Sequence, residues 1–473
     1  MSLSTVGLAP GVYVEELFSL AFSVKSGATA VPVFVGYFLG KDGNPKPVTD
    51  GCVRITDWMD FESQFYSGLV KVVMDPALVI TKDEVKPREG EGLPEPSPGP
   101  YSVNVLESDQ LTALLMLRHY FDNGGGACYV LSVADADLTK LKAEIEKFSD
   151  ITLLVAAVSG NKASTFRSAL NNLLGLQYKD KGYFLIAHGT SPTDVARPNP
   201  ALASDQAAFY TPYLKTPYAY WRSDSAVVVN GYEEDEGGGS STTAIVDTDE
   251  TLYLSDLAIR DSELYASIAK YIDKVLADEE VPDLPPSAAV AGAYCRTDRE
   301  RGVWKAPANV ELSAVIGVSE RIGDEEHGVL NSDGVNVIRW FDKRGAVIYG
   351  ARTLAGNDEN SNDSWRYIQV RRLFGAAERD IKRAVQAAMF EPNNAPTWES
   401  VRVAIDNYLH SLWRQGALMG NTPAEAYFVR IGKGITMTDD DITSGKMIVK
   451  IGMAAVRPAE FILLEFTQRV GLG

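Results

Sequence analysis

The residue types that do chemistry are few in this chain, and they are dispersed. Its four histidines, His119, His188, His327 and His410, fall in four separate segments, so no short spacing makes two of them joint metal ligands or a nucleophile–base pair. The three cysteines, Cys52, Cys128 and Cys295, are odd in number and far apart, and none forms a CxxC pair. That pattern argues against a disulfide framework and a zinc site and reads as small buried hydrophobes. A GxSxG elbow, a phosphate loop ending in Gly-Lys-Ser/Thr, a GxGxxG turn and an HExxH helix are all missing. The stretch Asn357 to Asp363 and the triplet Asp439, Asp440, Asp441 are acidic, but neither has the alternation, glycine and distal glutamate of a calcium loop. Both read as solvated loops. No catalytic, cofactor-binding or metal-binding residue is assigned, no cofactor is expected, and the expectation is a protein that is not an enzyme.

The scaffold is large enough for much else. A chain of 473 residues has room for roughly two to four domains, and its 45% hydrophobic and 23% charged content is that of a globular protein. The net charge of −18 argues against a nucleic-acid partner or an anionic membrane. Residues 1–10 lack a basic n-region and an apolar core, so no secretory signal is read and synthesis in the cytoplasm is expected. The run Ala30 to Leu39 is about half of what a bilayer helix needs, so no membrane insertion is expected. The charge is unevenly placed. Residues 1–288 hold 22 Lys and Arg against 40 Asp and Glu, whereas residues 289–473 hold 23 of each. Such asymmetry suggests an acidic region facing water and a balanced one facing protein.

Coarse periodicity supplies the elements. Pro87 to Pro100 and Glu233 to Thr243 are low-complexity excursions. Between them, Ile151 to Val158 and Tyr183 to Ala187 read as strands flanking a helix with apolar spacing through Phe166, Leu170, Leu173 and Leu174, a β-α-β layer. The amphipathic segment Leu264 to Leu276 is followed by a Pro-rich break, Val281 to Pro286, which marks the expected boundary at residue 288.

The two ends look built for pairing. Val12, Tyr13, Val14, Glu15 and Glu16 form a short strand, tethered by the small residues that follow Lys25. At the other end, Lys446 to Met453 and Glu460 to Arg469 read as a hairpin with Met447, Val449 and Ile451 on one face and an apolar second strand containing Phe461, Leu463, Leu464 and Phe466. A two-stranded ribbon is marginal in water, so further strands, from this chain or another, are expected to complete it. Trp365 to Met389 reads as an amphipathic helix on which Arg371, Arg372, Arg379, Lys382 and Arg383 fall within an arc of about 120° free of acids. A second helix follows, with Thr397 as its expected N-cap and a stripe of Val401, Ile405, Tyr408, Leu409 and Leu412.

Taken in order, several of these segments resemble one family. They are Pro10 to Glu16, Tyr120 to Gly126 leading into Ala127 to Val133, the run Ala291-Gly292-Ala293-Tyr294-Cys295-Arg296-Thr297-Asp298 continuing to Asn309, Asn336 to Ala355, and both helices through Gly434. The chain is similar there to contractile tail sheath proteins of phage tails, R-type bacteriocins and phage-tail-like injection particles. The resemblance covers the N-terminal arm and nearly all of residues 289–473. It implies an α+β multidomain, tail-sheath-like fold: an inner α+β domain completed by exchanged terminal strands, with outer α/β and β-rich insertions. The implied division is an arm at 1–29, an acidic outer region at 30–288 and an inner domain at 289–473. It further implies a structural subunit that stacks in hexameric rings as a helical sheath and contracts to drive an inner tube through a target envelope. Val12 to Glu16 would be the inter-subunit arm and Met447, Val449, Ile451, Phe461, Leu463, Leu464 and Phe466 the exchanged C-terminal strands. Arg371, Arg372, Arg379, Lys382 and Arg383 would contact the tube. The implied partners are further copies of the chain, the inner tube protein, sheath paralogues and baseplate or cap proteins, in a particle released from the cell. A receptor-binding or adhesin-type structural protein is the alternative that the acidic, loop-rich composition also allows.

Overall fold

The computed structural model describes residues 22–74, 101–134, 138–175, 178, 181–189, 204–219, 222–230, 252–277, 279–355 and 363–460. The expected arm Val12 to Glu16, the excursions after residue 86 and after residue 232, and the segment from Phe461 onward lie outside the described residues. The chain forms two compact units. Among the described residues the larger comprises 28–375 with 457–460, and the smaller 22–27 with 376–456.

The larger unit is organised by a nine-stranded sheet. Its strand order is Val310–Glu311, Gly345–Ile348, Val335–Phe341, Ala207–Thr211, Phe184–His188, Leu153–Ala157, Pro32–Gly36, Cys128–Ser132 and Val53–Ile55. The six strands from Val335–Phe341 to Cys128–Ser132 pair in parallel, and antiparallel strands close both edges. Parallel strands are covered on both faces, which is why they read as continuous apolar runs such as PVFVG and LLVAA. Alternation then sorts the side chains. Phe34, Leu153, Val155 and Ile186 share one core with the helices Ser108–Asp122 and Ser287–Arg301. Val33, Val35, Leu154, Ala156 and Leu185 join the helices Leu141–Ile145 and Gly160–Asn171 in the other. The expected β-α-β layer is present as Leu153–Ala157, Gly160–Asn171 and Phe184–His188, in register Leu153↔Phe184. A three-stranded sheet of Val70–Met74, Tyr101–Val105 and Val229–Asn230 packs with Leu254–Arg260 and Ser262–Ala277 over a further core.

The expected boundary at residue 288 is not a boundary in the fold. It falls at the start of the Ser287–Arg301 helix, whose Ala288, Ala289, Val290, Ala291, Ala293 and Tyr294 are fully buried. Small side chains let this helix lie close to Ser108–Asp122: a Cβ on Gly292 would come within 2.4 Å of the Tyr120 carbonyl oxygen. A division there would split one core, so the Pro-rich break before it is a connection between packed elements. The chain instead passes from one unit to the other within the helix Ile368–Val385, between Gly375 and Ala376. No change in composition marks that point.

In the smaller unit, the helix Ala395–Arg414 buries Val401, Ile405, Tyr408, Leu409 and Leu412, the stripe its spacing predicts. Its N-cap is Asn394, whose side chain accepts a hydrogen bond from the Thr397 N–H at 3.2 Å, so Thr397 is the capped residue and not the cap. A small antiparallel sheet pairs Tyr427–Arg430 with Lys450–Met453.

Candidate functional site

The Ile368–Val385 helix distributes its charge differently from the expected arc. Arg371 is buried, its guanidinium 4.6 Å above the Trp365 ring. Arg372 is buried too, and holds Asp298 of the Ser287–Arg301 helix through a bidentate pair, Nη1 to Oδ1 at 3.0 Å and Nη2 to Oδ2 at 2.6 Å. The two side chains are 2% and 5% exposed, and the guanidinium lies 4.7 Å from the centre of the Tyr294 ring. Burial works against the charged guanidinium, but attraction and hydrogen bonding to Asp298 outweigh it and hold the Arg372 pKa above its ordinary value. Arg379 is buried with its Nε 3.5 Å from Asp380 Oδ1, and burial together with Arg383 pushes its pKa down. Lys382 and Arg383 are exposed. The five residues therefore do not form one basic face. Helical-wheel reasoning treats the helix alone, and Arg371 and Arg372 have their partners on segments distant or separate from it.

The small sheet supplies the other candidate surface. Its register is Tyr427↔Met453, Phe428↔Gly452, Val429↔Ile451 and Arg430↔Lys450. Apart from a single bridge between Leu418 and Ala455, no further strand flanks it among the described residues. Phe428 is 47% exposed and its ring lies over Gly452, where an added Cβ would meet the Phe428 Cε1 at 2.3 Å. Here too the expectation changes. Ile451 lies in the strand and is half-buried, whereas Met447 and Val449 precede it outside regular structure. The ladder partner is Tyr427–Arg430, which periodicity did not single out because the segment is only four residues long. Glu460, expected to open the second strand of the hairpin, is outside regular structure. Phe461, Leu463, Leu464 and Phe466 lie outside the described residues.

The histidines do not converge, and of the cysteines Cys128 and Cys295 meet in one core beside Tyr120 while Cys52 lies in the other. His119 and His188 are buried in different places, one against the Ser313 carbonyl and one between Ser287 and the Val158 carbonyl. Burial pushes the His188 pKa down to about 4. All three cysteines are buried free thiols, and burial pushes the Cys52 thiol up to about 12. Among the described residues no three His, Cys, Asp or Glu side chains cluster as metal ligands. What the structure presents is a mixed α+β scaffold with a two-stranded ribbon that, among the described residues, has no further strand at its edges.

Comparison with known proteins gives that scaffold its class. The profile described as the phage tail sheath protein central domain matches residues 230–354, and that described as the phage tail sheath C-terminal domain matches residues 360–469. The tail sheath protein of Vibrio phage KVP40 is 28% identical over 138 residues, 28% of this chain and 20% of its own length. That of Enterobacteria phage T4 is 28% identical over 129 residues, 27% of this chain and 19% of its own. The matches thus span about a fifth of those curated relatives. Solved structures are similar throughout. A chain of the anti-feeding prophage helical sheath in the contracted state is 39% identical, with a TM-score of 0.65 over 98% of this chain and 100% of that one. A chain of the six-fold symmetrised baseplate of the same particle is 38% identical, with a TM-score of 0.65 and the same coverage. A chain of the PVC sheath complex, an extracellular contractile injection system in the contracted state, is 35% identical, with a TM-score of 0.63 over 99% of both chains. The chain belongs to the contractile tail sheath family.

Proposed function

We propose that this chain is the structural sheath subunit of a contractile injection apparatus, that it polymerises as hexameric rings in a helical sheath around an inner tube, and that its contraction drives the tube through a target envelope. The observation that carries the reading is similarity at 35 to 39% identity, along nearly the whole chain, to subunits of contracted sheaths. The open-edged ribbon supports it physically. A two-stranded sheet is marginal alone and its unpaired edges are templates for added strands. The arm Val12 to Glu16 of one neighbour and the segment after Glu460 of another would complete it by β-augmentation. Head-to-tail contacts of this kind do not close on themselves, and they generate helical tubes. Contraction then requires two packings of one subunit, with strand pairing retained while subunits rotate.

The tube-facing role narrows to Lys382 and Arg383, the exposed pair of the five basic residues considered. Exposed charges make salt-screened contacts, suited to holding a tube and then releasing it. Sheath paralogues and baseplate or cap proteins would be the remaining partners. The subunit would be made in the bacterial cytoplasm and leave the cell in the assembled particle, without enzymatic activity of its own. Electron microscopy of the purified chain tests the reading. Tubes or stacked rings support it, and isolated monomers at assembly concentrations contradict it. Lys382→Glu with Arg383→Glu is expected to weaken co-assembly with the tube protein, and unaltered co-assembly would remove these residues from the contact.

A further inference from the structure

Two sequence segments singled out above, Ala291 to Asn309 and Asn336 to Ala355, have no part in the proposed exchange of strands between subunits or in the tube contact. The structure brings each of them to one end of the chain. Where the N-terminal segment enters the larger unit, the Thr29 hydroxyl donates to Asp298 Oδ2 at 2.5 Å, and the Thr29 carbonyl accepts from Arg372 Nη2 at 3.0 Å. The next carbonyl, of Ala30, accepts from the Cys295 thiol at 3.3 Å. Tyr294, beneath the Arg372 guanidinium, is tied to the central sheet by a 2.7 Å hydrogen bond between its hydroxyl and that of Tyr210. Tyr294, Cys295 and Asp298 share one stretch of a single helix, so the run Ala-Tyr-Cys-Arg-Thr-Asp is the wall of this socket.

The C-terminal segment is held in the same manner at a different place. Both carboxylate oxygens of Glu460 accept from Arg352, Nε to Oε1 and Nη2 to Oε2, each at 2.8 Å. The Asn331 amide and the Tyr367 hydroxyl donate to the same carboxylate at 2.8 and 3.1 Å. Arg352 is itself fixed. Its Nη1 donates to the Asn331 carbonyl at 2.9 Å, and its backbone N–H and C=O both pair with the side chain of Asn336, each at 2.8 Å. Asn336 is fully buried and belongs to the strand Val335–Phe341. Asn336 and Arg352, both within Asn336 to Ala355, supply this second socket together with Asn331 and Tyr367.

We propose that the larger unit anchors both chain ends in preformed arginine sockets, Asp298–Arg372 around Thr29 and Arg352–Asn336 around Glu460. Load carried by either terminal segment would then pass into the central sheet and not strip the chain from it. Charge-assisted, bidentate bonds are the strong and geometrically defined class, and pulling either end out would leave an arginine without its full set of partners in a water-poor site. The load-bearing part of the inference rests on the proposed exchange of chain ends between subunits, whereas the sockets themselves are properties of the single subunit.

The two parts are separable by experiment. Hydrogen–deuterium exchange on the purified, unassembled full chain is compared with Glu460→Gln and Thr29→Val, substitutions that keep size while weakening one socket each. Exchange is expected to rise about tenfold or more at the Arg352 amide, held by Asn336, in the first variant and at the Val31 amide, held by Thr152 beside Thr29, in the second, since each socket loses strong hydrogen bonds. Exchange in Leu153–Ala157 is expected to stay unchanged, which separates local release from global unfolding. Unchanged exchange at both ends overturns the sockets. Tube yield is scored by electron microscopy on the same preparations. Lower yield from the variants supports load transfer, and undiminished yield with raised exchange overturns it. Failure of the unaltered chain to form tubes would show there, as a failure of the assembly reading, without touching the exchange result.

Discussion

Removing one member of the Arg372–Asp298 pair is expected to destabilise the subunit far more than removing both. Asp298 is 5% exposed and Arg372 2%. Arg372→Met leaves a buried carboxylate with the Thr29 hydroxyl as its remaining donor among the contacts described above, and Asp298→Leu leaves a buried guanidinium with the Thr29 carbonyl as its remaining acceptor among those contacts. Breaking a buried ion pair in this way costs about 3–5 kcal/mol, most of it the penalty of the unpaired charge. In a unit of this size, about 4 kcal/mol corresponds to a fall in Tm of roughly 5 °C. Arg372→Met with Asp298→Leu removes both charges and restores an apolar contact with Tyr294, so the double variant is expected within about 2 kcal/mol of the parent. Thermal unfolding of the unassembled subunit, followed by circular dichroism, gives all four corners of the cycle. Two results would refute the reasoning: single variants that melt with the parent, or a double variant whose loss equals the sum of the two single losses.

Further expectations concern the second socket and the smaller unit. Burial opposes ionisation of Glu460, but hydrogen bonds from Arg352 and Asn331 hold its carboxyl below the ordinary 4.5. Its contribution is therefore complete above that value and lost as pH falls through the lower, folded one, with Arg352, Tyr367 and His327 the other titratable groups in electrostatic contact with it. The difference in exchange at the Arg352 amide between parent and Glu460→Gln should accordingly shrink on acidification, and a constant difference would contradict the pairing. Phe390 has a φ of +69° and is 99% exposed. Phe390→Gly should stabilise the isolated subunit by about 0.5–1 kcal/mol through relief of the left-handed backbone, and a lower unfolding midpoint would refute that. Asn394→Ala should cost about 1 kcal/mol by uncapping the helix Ala395–Arg414, measurable in the same melts.

Much of the scaffold is legible in the residues themselves. The apolar run Ile151 to Val158 reads as a strand and is one, covered on both faces, and the stripe Val401, Ile405, Tyr408, Leu409, Leu412 reads as a helix with one buried side. What periodicity could not show was partnership between distant segments. Arg372 looks like a surface charge until Asp298, 74 residues earlier in the chain, is placed beside it. Glu460 reads as the opening residue of a strand until Arg352 is seen to hold it. The passage between units at Gly375 is silent because it occurs inside a regular helix, where hydrophobic spacing continues without interruption. The short strand Tyr427–Arg430 has too few residues for alternation to register. In each case the decisive term is a long-range contact that has no local signature.

The account depends most on chain ends passing between copies, and deletion of residues 1–20 tests this directly. The deleted segment contains Val12 to Glu16 and stops short of Gly27, Thr29 and the socket around them. Negative-stain electron microscopy of the truncated and intact chains at equal concentration, with melting of both as a control for folding, gives the answer. A truncated subunit that melts like the intact one but forms no tubes is the predicted result, and tubes of unchanged length and number from it would contradict the account.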